Sequence, residues 1–166
     1  MPMRDRSKLV RDAGFAAVAI AAVAAASIVG QIATYPNLAP WYAALNKPAF
    51  NPPNWIFAPV WSALYVLMAF AAWRILRRER ALRGRGLALG FFFAQLALNA
   101  AWSWMFFGAH SPGLGLLNIG PQLAAILATI GLFHRLDRFA AWCLVPLAAW
   151  VAFAGVLNFA IWRLNG

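Results

Sequence analysis

Residues 55–85 read WIFAPVWSALYVLMAFAAWRILRRERALRGR. From Trp55 to Trp73 no side chain is charged, and the run then ends in Arg74, Arg77, Arg78, Arg80, Arg83 and Arg85. About 20 apolar residues in a helix cross the roughly 30 Å of bilayer hydrocarbon, and arginine belongs at its edge. The segment is therefore expected to be a transmembrane helix stopped by a basic loop. The same pattern recurs on both sides, giving five spans at 13–34, 55–76, 86–108, 113–133 and 139–162. The fold class expected is all-α, an integral membrane bundle of five transmembrane helices in one domain (13–163) preceded by a basic segment (1–12).

Composition agrees. Of 166 residues, 64% are hydrophobic and 11% charged, against roughly 25% charged in soluble domains. A signal-peptide reading of 13–34 after Arg4, Arg6, Lys8 and Arg11 is disfavoured by the length of the apolar run and by the four spans that follow. Orientation follows Lys and Arg in short loops. The N-terminal segment, the 2–3 loop and the 4–5 loop (Arg135, Arg138) hold twelve basic residues, whereas the opposite side holds two, Lys47 and Arg163. Only an odd number of crossings cut at these places separates the charges so, with the N-terminus cytoplasmic and a bacterial inner membrane favoured over an outer one.

The net charge of +10 is thus mainly a topology signal. It is compatible with anionic membrane lipid, while nucleic acid is excluded for want of a soluble module to carry the basic residues. The four acids, Asp5, Asp12, Glu79 and Asp137, lie in or beside the basic clusters, so no buried carboxylate pair is available for hydrolysis or proton relay. Cys143 cannot form an internal disulfide, and with only His110 and His134 besides there is no metal-ligand spacing. Gly84-Arg85-Gly86 lacks the spacing and preceding strand of a phosphate loop. Ser111 with Pro112 makes a good helix start, and Pro121 and Pro146 should bend spans 4 and 5.

Residues 35–59, YPNLAPWYAALNKPAFNPPNWIFAP, hold six of the ten prolines and six aromatic residues. Proline should prevent the segment from continuing the flanking helices. It is either a stiffened loop with an interfacial aromatic belt or a lid over the bundle mouth.

Trp41-Tyr42, Leu45-Asn46-Lys47-Pro48, Asn51-Pro52-Pro53, Trp61 and Leu64-Tyr65 resemble, in this order, the tryptophan-rich sensory protein/translocator protein (TspO/MBR) family. Gln95-Leu96-Ala97-Leu98-Asn99, Trp102 and Phe106-Phe107-Gly108 look like that family's third helix, and Pro146, Trp150 and Leu157-Asn158-Phe159 like its fifth. The resemblance covers roughly residues 14–163. It implies a five-helix, usually dimeric bundle that binds tetrapyrroles such as protoporphyrin IX as ligand rather than cofactor, and in some members sterols and benzodiazepine-type compounds. It also implies ligand-binding positions at Trp41, Tyr42, Trp61, Asn99, Trp150, Ala154 and Leu157. If bound porphyrin is oxidatively degraded in light, Trp61 and Trp150 are the catalytic candidates. Receptor, transporter and degrading enzyme are the three functions it leaves open.

Each candidate has a plainer explanation. Trp61 and Trp150 could be core filler or interface anchors. Gln95 and Asn99, and likewise Asn118 and Gln122, are four apart and share a helix face, as interhelical hydrogen bonding requires. Residues 157–163 occupy the place of a cholesterol-recognition pattern, but Phe159 replaces its tyrosine, and an interfacial Trp162/Arg163 anchor explains them as well. Gly86, Gly90 and Ala94 make a small-residue stripe on span 3, suited to a homodimer or to packing against another span.

Overall fold

The computed structural model describes residues 3–166, with side chains described from Arg6 onward. Met1 and Pro2, and the side chains of Arg4 and Asp5 counted in the basic N-terminal segment, lie outside the described residues. Six helices make five spans: α1 (Met3–Leu38), α2 (Asn54–Leu76), α3 (Arg85–Ser103), α4 (Pro112–Leu136), α5 (Arg138–Trp142) and α6 (Val145–Asn165). Five helical stretches are long and apolar enough to cross a membrane, the last comprising α5 and α6 together.

The first and fifth spans differ from expectation, and the third ends at Gly108 as expected but in an unexpected form. α1 begins inside the 1–12 segment and runs through Pro36 to Leu38, so the loop before Asn54 is shorter than 35–59. Pro36 deprives the Ile32 carbonyl of an amide partner. Side chains brace the carbonyls on either side of it in sequence: Thr34 Oγ1 donates to Gly30 O at 2.9 Å and Asn37 Nδ2 to Ala33 O at 2.9 Å. The third span closes with a π-helical turn, Trp104–Gly108, in which Ala109 N donates to Trp104 O at 2.7 Å. The fifth span is broken at Cys143–Leu144, and Pro146 sits in the first turn of α6, where its missing donor costs nothing, rather than bending a continuous helix. Ser111 does cap α4, its Oγ accepting from Leu114 N at 3.2 Å.

The spans form a ring. α1 packs between α2 and α3, α3 against α4, α4 against α6, and the ring closes where α2 meets α5. α2 and α6 themselves hardly approach at the backbone. Closure is thus tight at the arginine-rich end and open at the other. Asp137 carries out the closure: its Oδ2 accepts from Arg74 Nη2 at 2.9 Å and Arg78 Nη2 at 2.8 Å on α2, while its Oδ1 caps α5 through Ala140 N at 3.2 Å. Arg85 reaches back to the carbonyls of Ile75 (3.2 Å) and Leu76 (3.0 Å), satisfying the last turn of α2. Arg77 pairs with Asp12 at 3.0 Å, tying α2 to α1.

Between the ends lies an apolar core centred on Phe92, Phe133, Met68, Ile75 and Ile126, with Phe92 and Phe133 stacked at 5.9 Å. Gly86, Gly90 and Ala94 face outward, and an added Cβ at either glycine meets nothing within 4 Å. The stripe therefore does not serve packing within the chain.

Candidate functional site

The site is built at the end opposite the arginines, where α2 and α6 diverge. Side chains fill that gap. Phe57 of α2 makes an edge contact with Trp150 of α6 (centroids 5.8 Å), Trp150 lies 5.6 Å from Phe153, and Trp61 lies 5.4 Å from Tyr65 one turn along α2. Trp150, Ala154 and Leu157 are spaced i, i+4 and i+7, hence on one face of α6. Ala154 is half-buried and Leu157 buried.

The loop between Leu38 and Asn54 covers this end. Its single turn of 3₁₀-helix (Tyr42–Ala44) plants two aromatic rings in a second cluster with Phe106, Phe107, Leu157 and Ile161, against which Phe57 also packs. Trp41 contacts Phe106 edge-on at 5.3 Å and stacks on His110 at 4.9 Å. Tyr42 is buried, and Lys47 Nζ sits 4.6 Å from its ring centre. Burial raises the Tyr42 phenol above its ordinary value of 10.0, with a long contact to Asn51 (3.4 Å) pulling the other way. It is therefore a hydrogen-bond donor, not an anion. Asn165, in the last turn of α6, fastens the loop: its Oδ1 accepts from Asn46 N and its Nδ2 donates to Asn46 O, both at 2.9 Å. The segment is folded against the end of the bundle by these contacts.

The amides divide. Asn118 Nδ2 donates to Leu98 O at 2.9 Å and contacts Gln122 Oε1 at 3.5 Å, so this pair joins α4 to α3. Asn99 Oδ1 accepts from Tyr65 Oη at 3.1 Å, which places Asn99 beside Trp61's neighbour and not beside Tyr42. Gln95 is fully buried, with Nε2 3.7 Å from Met68 Sδ and Oε1 without a partner. An unpaired acceptor in such surroundings costs a few kcal/mol.

Of the positions expected for ligand, Trp61 and Asn99 meet through Tyr65, Trp150 joins the lid cluster through Phe57, and Trp41, Tyr42 and Leu157 lie in that cluster. Phe57, Tyr65, Trp102 and Asn158 complete the constellation. Tyr65 and Asn158 stand in the motifs quoted above, but nothing in their spacing reveals that Asn158 Oδ1 accepts from Trp102 Nε1 at 3.3 Å. In the 157–163 segment, Phe159, Trp162 and Arg163 face outward while Leu157, Asn158 and Ile161 face inward, the arrangement of a helix-end anchor.

A ring of five apolar spans, closed at one end by aromatic side chains and a proline-rich loop, defines a multi-pass helical membrane protein. The chain belongs to the TspO/MBR family, whose model matches residues 17–163. It is similar to Protein CrtK of Rhodobacter capsulatus, at 42% identity over 75% of this chain and 78% of that protein. It is also similar to the tryptophan-rich protein TspO of Archaeoglobus fulgidus, at 38% identity over 88% of this chain and 94% of that one. The human translocator protein is 36% identical over 75% of each chain. These relatives support a sensory or binding role in the membrane.

Proposed function

We propose that the chain is a membrane receptor for a flat, conjugated amphiphile of the tetrapyrrole class, protoporphyrin IX or a close relation, bound as ligand in the cleft between α2 and α6. The observation that carries this reading is the aromatic junction between α2 and α6. Two helices that hardly approach at the backbone meet there through Phe57 and Trp150, with Trp61 one turn further along α2 and Phe153 beside Trp150 on α6. Indole faces suit a macrocycle, because stacking adds about 0.5–1.5 kcal/mol per aromatic contact beyond area burial. The Tyr42 phenol and the Asn99 amide offer hydrogen bonds to propionates without a formal charge. Benzodiazepine-type ligands suit the same aromatic walls. A sterol at residues 157–163 has less support, because Phe159 lacks the hydroxyl of the recognition pattern and faces outward.

Titration of the detergent-solubilised protein with protoporphyrin IX, followed by tryptophan fluorescence, tests the site. Trp150→Ala should weaken binding about tenfold, equivalent to 1.4 kcal/mol, and Trp150→Phe much less. Unchanged affinity in both Trp61→Ala and Trp150→Ala would remove the site. A second reading, light-dependent oxidative breakdown of the porphyrin with dioxygen as oxidant, is favoured by the Trp61–Tyr65 contact, since an indole beside a hydrogen-bonded phenol can pass an electron. Near-normal binding with lost photodegradation in Trp150→Phe would favour that reading.

The basic asymmetry supports an inner-membrane chain with its N-terminus and 2–3 loop cytoplasmic and the lid periplasmic. In a Cys143→Ser background, a cysteine replacing Ser111 should react with an impermeant maleimide in spheroplasts and one replacing Arg80 should not; the reverse pattern inverts the topology. The outward stripe of Gly86, Gly90 and Ala94 supports a homodimer through α3. Gly90→Leu should then yield a smaller particle in detergent than the wild type, and equal masses would place the interface elsewhere.

A further inference from the structure

The arginine-rich end carries a second concavity, far along the spans from the lid. A groove of about 330 Å³ opens between the last turns of α4 and the α5–α6 break. Ile130, Gly131, Ala141, Trp142 and Val145 line it with apolar surface, and His134 and Arg135 from the last turns of α4 border it. The groove lies beside the interruption of the fifth span between α5 and α6. Asp137 is already taken by Arg74 and Arg78, so it does not neutralise Arg135. Arg135 and the nearby Arg138 are exposed and make no ion pair among the described residues. An apolar trough bordered by Arg135, which has no acidic partner among the described residues, at the point where the span leaves the hydrocarbon, matches an amphiphile with an anionic head.

We infer that this groove seats one anionic phospholipid of the leaflet that the arginine-rich end faces. Its acyl chain runs over Gly131 between Ile130, Trp142 and Val145, and its phosphate lies on Arg135 with a ring N–H of His134 beside it. Guanidinium is the suited partner, since its fork of donors matches phosphate oxygens. The seat is independent of the tetrapyrrole cleft and lies at the opposite end of the ring.

The test is native mass spectrometry of the full chain in detergent supplied with equal phosphatidylglycerol and phosphatidylcholine. The wild type should retain one phosphatidylglycerol in preference to phosphatidylcholine. Arg135→Gln should lower that retention about fivefold, the worth of one basic group at an anionic surface. Gly131→Leu should bring it down to the phosphatidylcholine level by filling the trough. An added Cβ at Gly131 meets nothing within 4 Å, and circular dichroism checks that the variant keeps its helical fold. Equal retention of the two lipids would mean annular lipid only and overturn the proposal. So would full retention in Gly131→Leu, or displacement by millimolar inorganic phosphate, which would show that the chain is not held.

Discussion

Asp137→Ala is expected to cost about 2–3 kcal/mol and to lower the thermal midpoint of the detergent-solubilised protein by several degrees at pH 7. One carboxylate does two jobs. Its Oδ2 accepts from Arg74 and Arg78 and its Oδ1 caps α5, so its loss both unties α2 from the fifth span and uncaps a helix. A cap contributes about 1 kcal/mol. Hydrogen bonds to charged groups contribute about 1.5–3 kcal/mol each when buried. Here the carboxylate is buried but the arginine side chains are 30% and 43% exposed, so water takes back part of that gain. Burial would by itself raise the Asp137 carboxyl, yet the donors from Arg74, Arg78 and the Ala140 amide, with the charge of Arg74, hold it below its ordinary 3.8. The contribution is therefore complete above that ordinary value and disappears as pH falls through the lower folded one. The gap between wild type and variant should be full at pH 7 and begin to narrow only as pH falls below the ordinary 3.8. Asp137→Asn keeps a capping oxygen and should fall between the two. Equal midpoints at pH 7 would show that α2 and α5 are held by apolar packing alone.

The five spans were legible because charge in hydrocarbon is so costly that the positions of arginine delimit each helix. Helix ends were less so. Pro36 reads as a terminator, yet α1 passes through it, since one lost amide bond is a smaller loss than unwinding a turn in an apolar surround. The break at Cys143–Leu144 leaves no mark in composition, although Asp137 followed by Arg138-Phe139-Ala140 is a readable N-cap for a new helix. At the site, the period of 3.6 put Trp150, Ala154 and Leu157 on one face and paired the amides. Which neighbour each face meets depends on the ring order of the spans, in which Asp137, Arg77 and Gly30 make contacts between helices that no motif reveals. Gly30 lets α1 lie against Ser103, where an added Cβ would stand 3.1 Å from its Oγ.

Asn158→Ala is expected to cost about 2–3 kcal/mol and to loosen the lid. Asn158 is buried between three elements. Its Nδ2 donates to Pro112 O at 2.6 Å at the start of α4, and its Oδ1 accepts from Trp102 Nε1 on α3. Hydrogen bonds between transmembrane helices average about 0.6 and reach about 1.7 kcal/mol; two such bonds, plus the space left by the side chain, account for the expected loss. The effect travels because Trp102 stacks on Phe106 at 4.9 Å and Phe106 is the ring against which Trp41 of the lid rests. A Trp102 free to turn lets Phe106 tilt and withdraws the floor beneath Trp41. The thermal midpoint should fall and, on the proposed tetrapyrrole site, porphyrin should be released faster, seen as a few-fold loss of affinity. Asn158→Leu, close in volume but without either hydrogen bond, separates the polar contribution from packing and should retain most of the defect. Gly115→Ala strikes the same node from α4, since its new Cβ would stand 2.9 Å from Asn158 Oδ1 and 3.0 Å from Phe106 Cδ2. If Asn158→Leu keeps the wild-type midpoint and the wild-type affinity, the amide is only a space-filler, and the lid is held by Asn165 and its own aromatic rings.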